Sequence, residues 1–320
     1  MLTYADKIHF MKKIKTTLLL ALLASPILSF AQQDPMISQH IFSGHFINPA
    51  YAGTHDYANI TALGRKQWVG FDGAPMTAYL SFDMPINTKH IGVGGLISND
   101  QIGVTNRTEI TGTFAYKIRL SEKFNFSFGL RAGISHYSAH LSKLTVWDQN
   151  DQLFSGDISG KILPITGTGI YVYSERFYAG LSVPNIISYK PSTAINIGIS
   201  DAPLLERHYL GTIGYAFPAG INLDIKPSVL VKFVPNAPVE ADYSLNFLLY
   251  KMLWLGGTYR SGDGLIAMAE YQATKNLRIG YAYDLTLTHL SNYNSGSHEI
   301  MLAWDFVKDE VIHYKSPRFF

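Results

Sequence analysis

NLRIGYAYDLTL (276–287) and SHEIMLAWDF (297–306) are the two segments whose reading decides the fold. In the first, Leu277, Ile279, Tyr281, Tyr283 and Leu285 fall on one face of an extended chain. Asn276, Arg278, Gly280, Ala282, Asp284 and Thr286 fall on the other. In the second, His298, Ile300, Leu302, Trp304 and Phe306 alternate with Glu299, Met301, Ala303 and Asp305. Successive side chains of a strand point to opposite faces, so each segment has one apolar side and one mixed or polar side. Each is about ten residues long, the length at which a tilted strand crosses a bilayer.

The pattern recurs along the chain. In KFNFSFGLRAGIS (123–135), Phe124, Phe126, Phe128, Leu130, Ala132 and Ile134 oppose Asn125, Ser127, Gly129, Arg131 and Gly133. Strand cores are expected at 57–68, 75–86, 89–99, 107–120, 123–137, 163–173 and 176–184. Seven more are expected at 205–217, 221–233, 239–250, 252–260, 264–273, 276–287 and 297–306. That makes about fourteen strands, an even number, as bacterial single-chain barrels have.

Alternation alone also fits a soluble sandwich. Two further features favour an all-β, antiparallel transmembrane barrel. Aromatics crowd the strand ends (Trp68, Tyr116, Tyr171, Tyr173, Tyr283, Trp304), as in interfacial girdles. Short turns such as Asn87-Thr88, Leu120 to Glu122, Ser174-Glu175 and Thr274-Lys275 alternate with longer links such as 138–162 and 185–204. Outer-membrane barrels have short periplasmic turns and longer outer loops, and this count puts both termini in the periplasm.

Composition agrees. Hydrophobic residues make up 47% and charged residues 16%, against roughly 25% charged in a soluble domain. No Cys is present, which excludes disulfides and a lipoprotein anchor. Lys12, Lys13 and Lys15 precede an apolar run from Thr17 to Leu28 and the small-x-small site Ser29-Phe30-Ala31. Residues 1–31 thus read as a secretory signal peptide, with Met11 a candidate start. Its removal takes away the basic excess, so there is no nucleic-acid footprint.

Residues 32–56, with Pro35, Gly44, Pro49 and Gly53, have no clean period. They read as a leader that either plugs a lumen or sits at the periplasmic mouth; the barrel spans 57–306. Fourteen strands enclose more space than side chains alone fill. The inward faces carry both signs (Arg65, Asp83, Glu109, Lys117, Arg119, Arg131, Arg278, Asp284, Glu299), which points to paired side chains or a polar channel. The tail 307–320 ends in Phe320, as last strands of barrels do, but Pro317 interrupts a strand there.

Chemistry is sparse. His136 and His140 sit on a strand end and a loop, where their spacing does not build a metal site. No HExxH, GxSxG or phosphate-binding loop occurs. Gly92, Gly94 and Gly95 precede no helix, and Asp72-Gly73 and Ser261 to Gly264 read as tight turns. A noncatalytic protein without cofactor or metal is expected.

Specific strings add to this. QDPMISQHIFSGHFINPAYAG (33–53) and RKQWVGFDGAPMTAYLSFDMPI (65–86) are followed by FYAGLSVPNII (177–187), PSVLVKF (227–233), GTYRSGDG (257–264) and the two segments quoted first. Together they resemble the PorP/SprF family of outer-membrane proteins of type IX secretion and gliding motility in Bacteroidetes-type bacteria. The resemblance covers essentially the whole mature chain. It implies a barrel in the outer membrane that assists secretion or surface attachment of a large partner. That partner would be an adhesin-like protein with a type IX C-terminal signal domain, handled together with other type IX components. Asn48, Pro49, Tyr51, Arg65, Trp68 and Asp72 are the candidates for internal plugging or partner contact. For Asn48-Pro49 and 70–75 the alternative is a turn or loop anchor; for Trp68 it is an anchor at the membrane interface. The competing functions are a channel for small solutes and a membrane enzyme.

Overall fold

The structure, a computed structural model, describes residues 36–86, 90–144, 157–187, 207–235 and 237–307. The expected signal peptide, the turn at Asn87-Thr88, residues 145–156 of the link 138–162, residues 188–204 of the link 185–204, and the tail beyond 307 lie outside them. The first strands are β1 (Asn59–Lys66), β2 (Met76–Ile86), β3 (Ile91–Ile102), β4 (Thr105–Arg119) and β5 (Asn125–Ala139). Then come β6 (Ile158–Tyr173), β7 (Phe177–Val183), β8 (Tyr209–Tyr215), β9 (Phe217–Pro218) and β10 (Leu223–Phe233). The last are β11 (Glu240–Leu249), β12 (Leu253–Arg260), β13 (Gly264–Gln272), β14 (Leu277–Thr286) and β15 (Ser297–Asp305).

Each strand pairs antiparallel with its neighbours, and β1 pairs with β15, from Asn59 opposite Asp305 to Lys66 opposite His298. β8 and β9 lie end to end against β10, parted at Ala216, so the cylinder has fourteen staves. Closure is a physical requirement, because an unpaired backbone group facing hydrocarbon costs several kcal/mol.

The facing follows the sequence. Along β1, Asn59, Thr61, Leu63 and Arg65 are buried while Ile60, Ala62, Gly64 and Lys66 are exposed. Outside, Ile110, Phe114, Tyr116, Phe128, Leu130, Ile279, Tyr281, Ile300, Leu302 and Trp304 are all exposed. Large apolar side chains that continuous suit oil, not water.

The structure departs from expectation in places. β3 and β4 run on to a tight turn at Gly103, whose φ of +56° suits glycine, so no loop separates them. β6 starts at Ile158, earlier than expected, with a register shift opposite Tyr137/Ala139 and Gly160 at φ +67°. Alternation is broken at that irregularity, which hid the strand's first turn. Arg119 keeps the inward parity of Lys117 but ends β4 at the mouth, where it is exposed and donates to the carbonyls of Ser121 and Glu122 instead of reaching into the lumen. Tyr171 and Tyr173 are not girdle residues either. Both are buried on the inner face of β6.

They are buried because the lumen is full. Residues 36–58 occupy it, with short 3-10 turns at Ser38–Phe42, Gly44–Phe46 and Pro49–Tyr51. The segment runs lengthwise. Ser38 touches Arg65, Asp284 and Glu299, near the strand ends that carry the 67–75 and 287–296 connections. Gly53 touches Asp83 and Lys117, near the opposite ends. The first end is called the loop mouth below and the second the turn mouth. At the turn mouth the chain leaves the lumen and begins β1.

Candidate functional site

The inward positions of β1, β14 and β15 build the first part of the site. Arg65 lies 2.7 Å from Asp284 and 3.2 Å from Glu299. The leader completes the group. The Ser38 hydroxyl donates to Asp284 and accepts from Arg65 at 3.0 Å. The amides of Ser38 and Gln39 donate to the two carboxylate oxygens of Glu299 at 2.9 and 2.7 Å. The network continues around the wall. Arg260 makes a bidentate pair with Asp242 at 2.9 and 2.8 Å and approaches Asp284 at 3.6 Å. Glu240 then bridges Arg260 and Lys232, 3.5 Å from each. Buried charges are costly unless paired, and here each has a partner of opposite sign.

A second group closes the turn mouth. Arg278 pairs with Asp305 at 3.0 Å and Glu270 at 3.2 Å, and Asn59 donates to Asp305 at 2.6 Å.

Between these groups the wall grips the leader by its main chain. Lys226 donates to the carbonyl of Ile41 at 3.1 Å, with its ammonium over the rings of Tyr178 and Trp254. Arg131 donates to the carbonyls of His45 and Phe46, Ser182 to that of Ile47, and Lys117 to that of Gly53. Asp83 accepts from the Gly53 amide at 3.0 Å. The His45 ring spans Ser81 and Thr113, on two different strands. Glycines let the backbones approach: a Cβ on Gly129 would stand 2.2 Å from the Ala50 nitrogen, and one on Gly92 1.9 Å from the Ala52 carbonyl oxygen.

Apolar contact fills the rest. Ile37, Ile41, Phe42 and Phe46 pack with wall residues Leu63, Leu96, Leu248, Trp254, Ile266, Met268 and Met301. Full burial of one such side chain contributes about 1.5–3 kcal/mol. Tyr51, Tyr171, Tyr173 and Tyr178 form a second cluster. A gap of about 20 Å³ remains among His40, Ile41, Asn48, Tyr51, Tyr171 and Tyr178. It has room for one water molecule.

The six candidate residues divide into two places. Asn48, Pro49, Tyr51 and Arg65 are buried in the lumen. Asn48 caps the turn that Pro49 opens, accepting from the Ala50 amide at 2.9 Å and donating to the Ile170 carbonyl at 3.0 Å. The Tyr51 hydroxyl meets His55 Nε2 at 2.8 Å, and its ring stands edge-on to Tyr171. Trp68 and Asp72 lie outside this group, in the loop between β1 and β2, with Asp72 exposed. Trp68 is half-buried at φ +46°, a conformation a bulky side chain seldom adopts. Its amide donates to Ser297, and Val69 exchanges hydrogen bonds with Gly296 and Ser295, so the two loops that flank the seam are clasped.

Several site residues were not singled out from sequence: Ser38, His45, Lys226, Lys232, Asp242, Arg260, Glu270 and Asp305. The wall members sit at inward positions of expected strands, so the alternation already marked them. Ser38 and His45 carried no signal, since the leader has no period. Among the described residues no three His, Cys, Asp or Glu side chains gather so as to hold a metal, and no helix is long and apolar enough to cross a membrane. The arrangement is suited to holding a peptide segment inside a cylinder.

Comparisons with known proteins agree with this architecture. CymD, a monoaromatic hydrocarbon channel, is similar in fold at a TM-score of 0.51 and 13% identity, over 83% of this chain and 93% of its own. The toluene transporter TbuX of Ralstonia pickettii gives a TM-score of 0.48 at 11% identity, over 82% and 93%. At such identities the likeness concerns fold only, that of an outer-membrane barrel. No curated protein matches. The family model described as type IX secretion system membrane protein PorP/SprF matches residues 29–304. With the match running from ahead of the leader to the last strand, the chain belongs to the PorP/SprF family of type IX secretion system membrane proteins.

Proposed function

We propose that this barrel assists the secretion or cell-surface attachment of one large partner, an adhesin-like protein with a type IX C-terminal signal domain. It works beside other type IX components and without catalysis. Export by a cleaved signal peptide and a role in gliding motility belong to the same reading. The observation that carries it is the family match over nearly the whole chain, joined to a lumen packed by the chain's own leader. A filled cylinder suits a protein that handles its partner at an exposed face, where Trp68 and Asp72 lie on clasped loops. Asn48, Pro49, Tyr51 and Arg65 serve the interior: they seat the leader.

Deletion of the gene tests this. One large surface protein should stay unexported or be shed into the medium. Its unchanged presence on the cell surface would refute the reading. A channel for small solutes is the second reading, since the similar fold of CymD is that of a hydrocarbon channel. It requires the leader to move, which buried ion pairs at both mouths oppose.

A further inference from the structure

The leader has a direction. Ser38 is held by Arg65, Asp284 and Glu299. In β1, Arg65 is one residue from the strand's loop-mouth end; in β14 and β15, Asp284 and Glu299 are two residues from theirs. Further along, His45 spans Ser81 and Thr113 near the middle of β2 and β4. Gly53 lies between Asp83 and Lys117, near the other ends of the same strands. Asp56 is exposed beyond them, and the Ala58 carbonyl accepts from the Phe306 amide, past the end of β15. The chain therefore enters the lumen at the mouth with the 67–75, 140–157, 184–208 and 287–296 connections. It leaves at the mouth with the 120–124, 174–176, 219–222, 250–252 and 273–276 turns.

In outer-membrane barrels the longer connections face the outside and the short turns face the periplasm. We infer that the leader runs through the lumen from the cell exterior to the periplasm. The Met36 end of the leader then opens on the outer face, near the clasped loops 67–75 and 287–296, in place of the periplasmic N-terminal end that the strand count predicts, and the C-terminal end of β15 faces the periplasm. The upstream end of the leader becomes part of the surface that an external partner meets. This inference concerns the path of the chain alone and is separable from the identity of any partner.

The chain has no Cys, so single-cysteine variants of the full-length protein report the path directly. Met36→Cys should react with a membrane-impermeant maleimide on intact cells. Asp56→Cys should react only after the outer membrane is permeabilised. Heat-modifiable migration on gels confirms that each barrel has folded. Because Met36 is half-buried, a biotin-acceptor peptide inserted just ahead of Pro35 provides a second readout, with streptavidin binding to intact cells expected. Asp56→Cys labelled on intact cells, or a tag at Pro35 that streptavidin reaches only after permeabilisation, overturns the inference. Loss of partner secretion on deleting the gene leaves it untouched.

Discussion

The Arg65 guanidinium lies 2.7 Å from the Asp284 carboxylate, which ties the first strand to the penultimate one across the last. Glu299, on that last strand, accepts from the same guanidinium at 3.2 Å. The pairs span the seam where the cylinder closes, and Ser38 of the leader sits among them. Arg65→Met takes the paired cation from Glu299 and leaves Asp284 only Arg260 at 3.6 Å, and should cost about 3–5 kcal/mol, read from urea unfolding in detergent micelles. Adding Asp284→Asn and Glu299→Gln should recover much of the loss, because no uncompensated charge then remains.

Contact between wall and leader at Gly129 predicts a position-specific steric effect. A Cβ there meets the Ala50 nitrogen at 2.2 Å and the Pro49 carbonyl carbon at 2.3 Å, and backbone cannot rotate away. Gly129→Ala should destabilise by about 1–3 kcal/mol and make the leader more susceptible to added protease. Gly112→Ala is the control, since nothing lies within 4 Å of its added methyl. Equal behaviour of the two variants would show that the leader does not rest on β5.

Outward facing is tested at Phe114, exposed near the middle of β4. Phe114→Arg should cost about 2–4 kcal/mol if that side chain meets hydrocarbon near the midplane, whereas Phe114→Leu should be nearly neutral. Folding titrations into lipid vesicles supply the comparison. An arginine tolerated as well as leucine would place β4 elsewhere than in lipid.

A packed interior also predicts an electrical result. Purified protein in planar bilayers should be silent at moderate voltage. The double variant Ser38→Ala, Glu299→Gln weakens the grip on the upstream end of the leader and should show intermittent openings. Steady conductance of the unaltered protein would mean that the leader is not seated as described.

Much of the wall was legible because a strand exposed to oil on one side has to alternate. The outward set Phe124 to Ile134 and the inward set Asn125 to Gly133 are found where their spacing placed them. What alternation does not encode is the content of the lumen. Tyr171 and Tyr173 look like girdle aromatics until Tyr51 is seen packed against the first of them. Ser127 faces inward as its spacing says, but its complete burial is set by what fills the lumen. The leader itself is held through main-chain groups, such as the Ile41 carbonyl on Lys226 and the Ser38 amide on Glu299. Every residue type carries the carbonyl and all but proline the N–H, so they leave no mark in a sequence. Only Asn48-Pro49, with a side chain that caps and a ring that fixes φ, announced a turn there.

Residues 36–58 precede every stave in the chain. The stopper is thus available before the bottle, and the growing sheet can curl around a mandrel it already carries. Since Ser38 engages side chains from the first strand and from both of the last two, the final zip-up of the cylinder is the step that traps it. A chain deprived of that mandrel would be expected to stall as an open sheet rather than seal as a hollow pore.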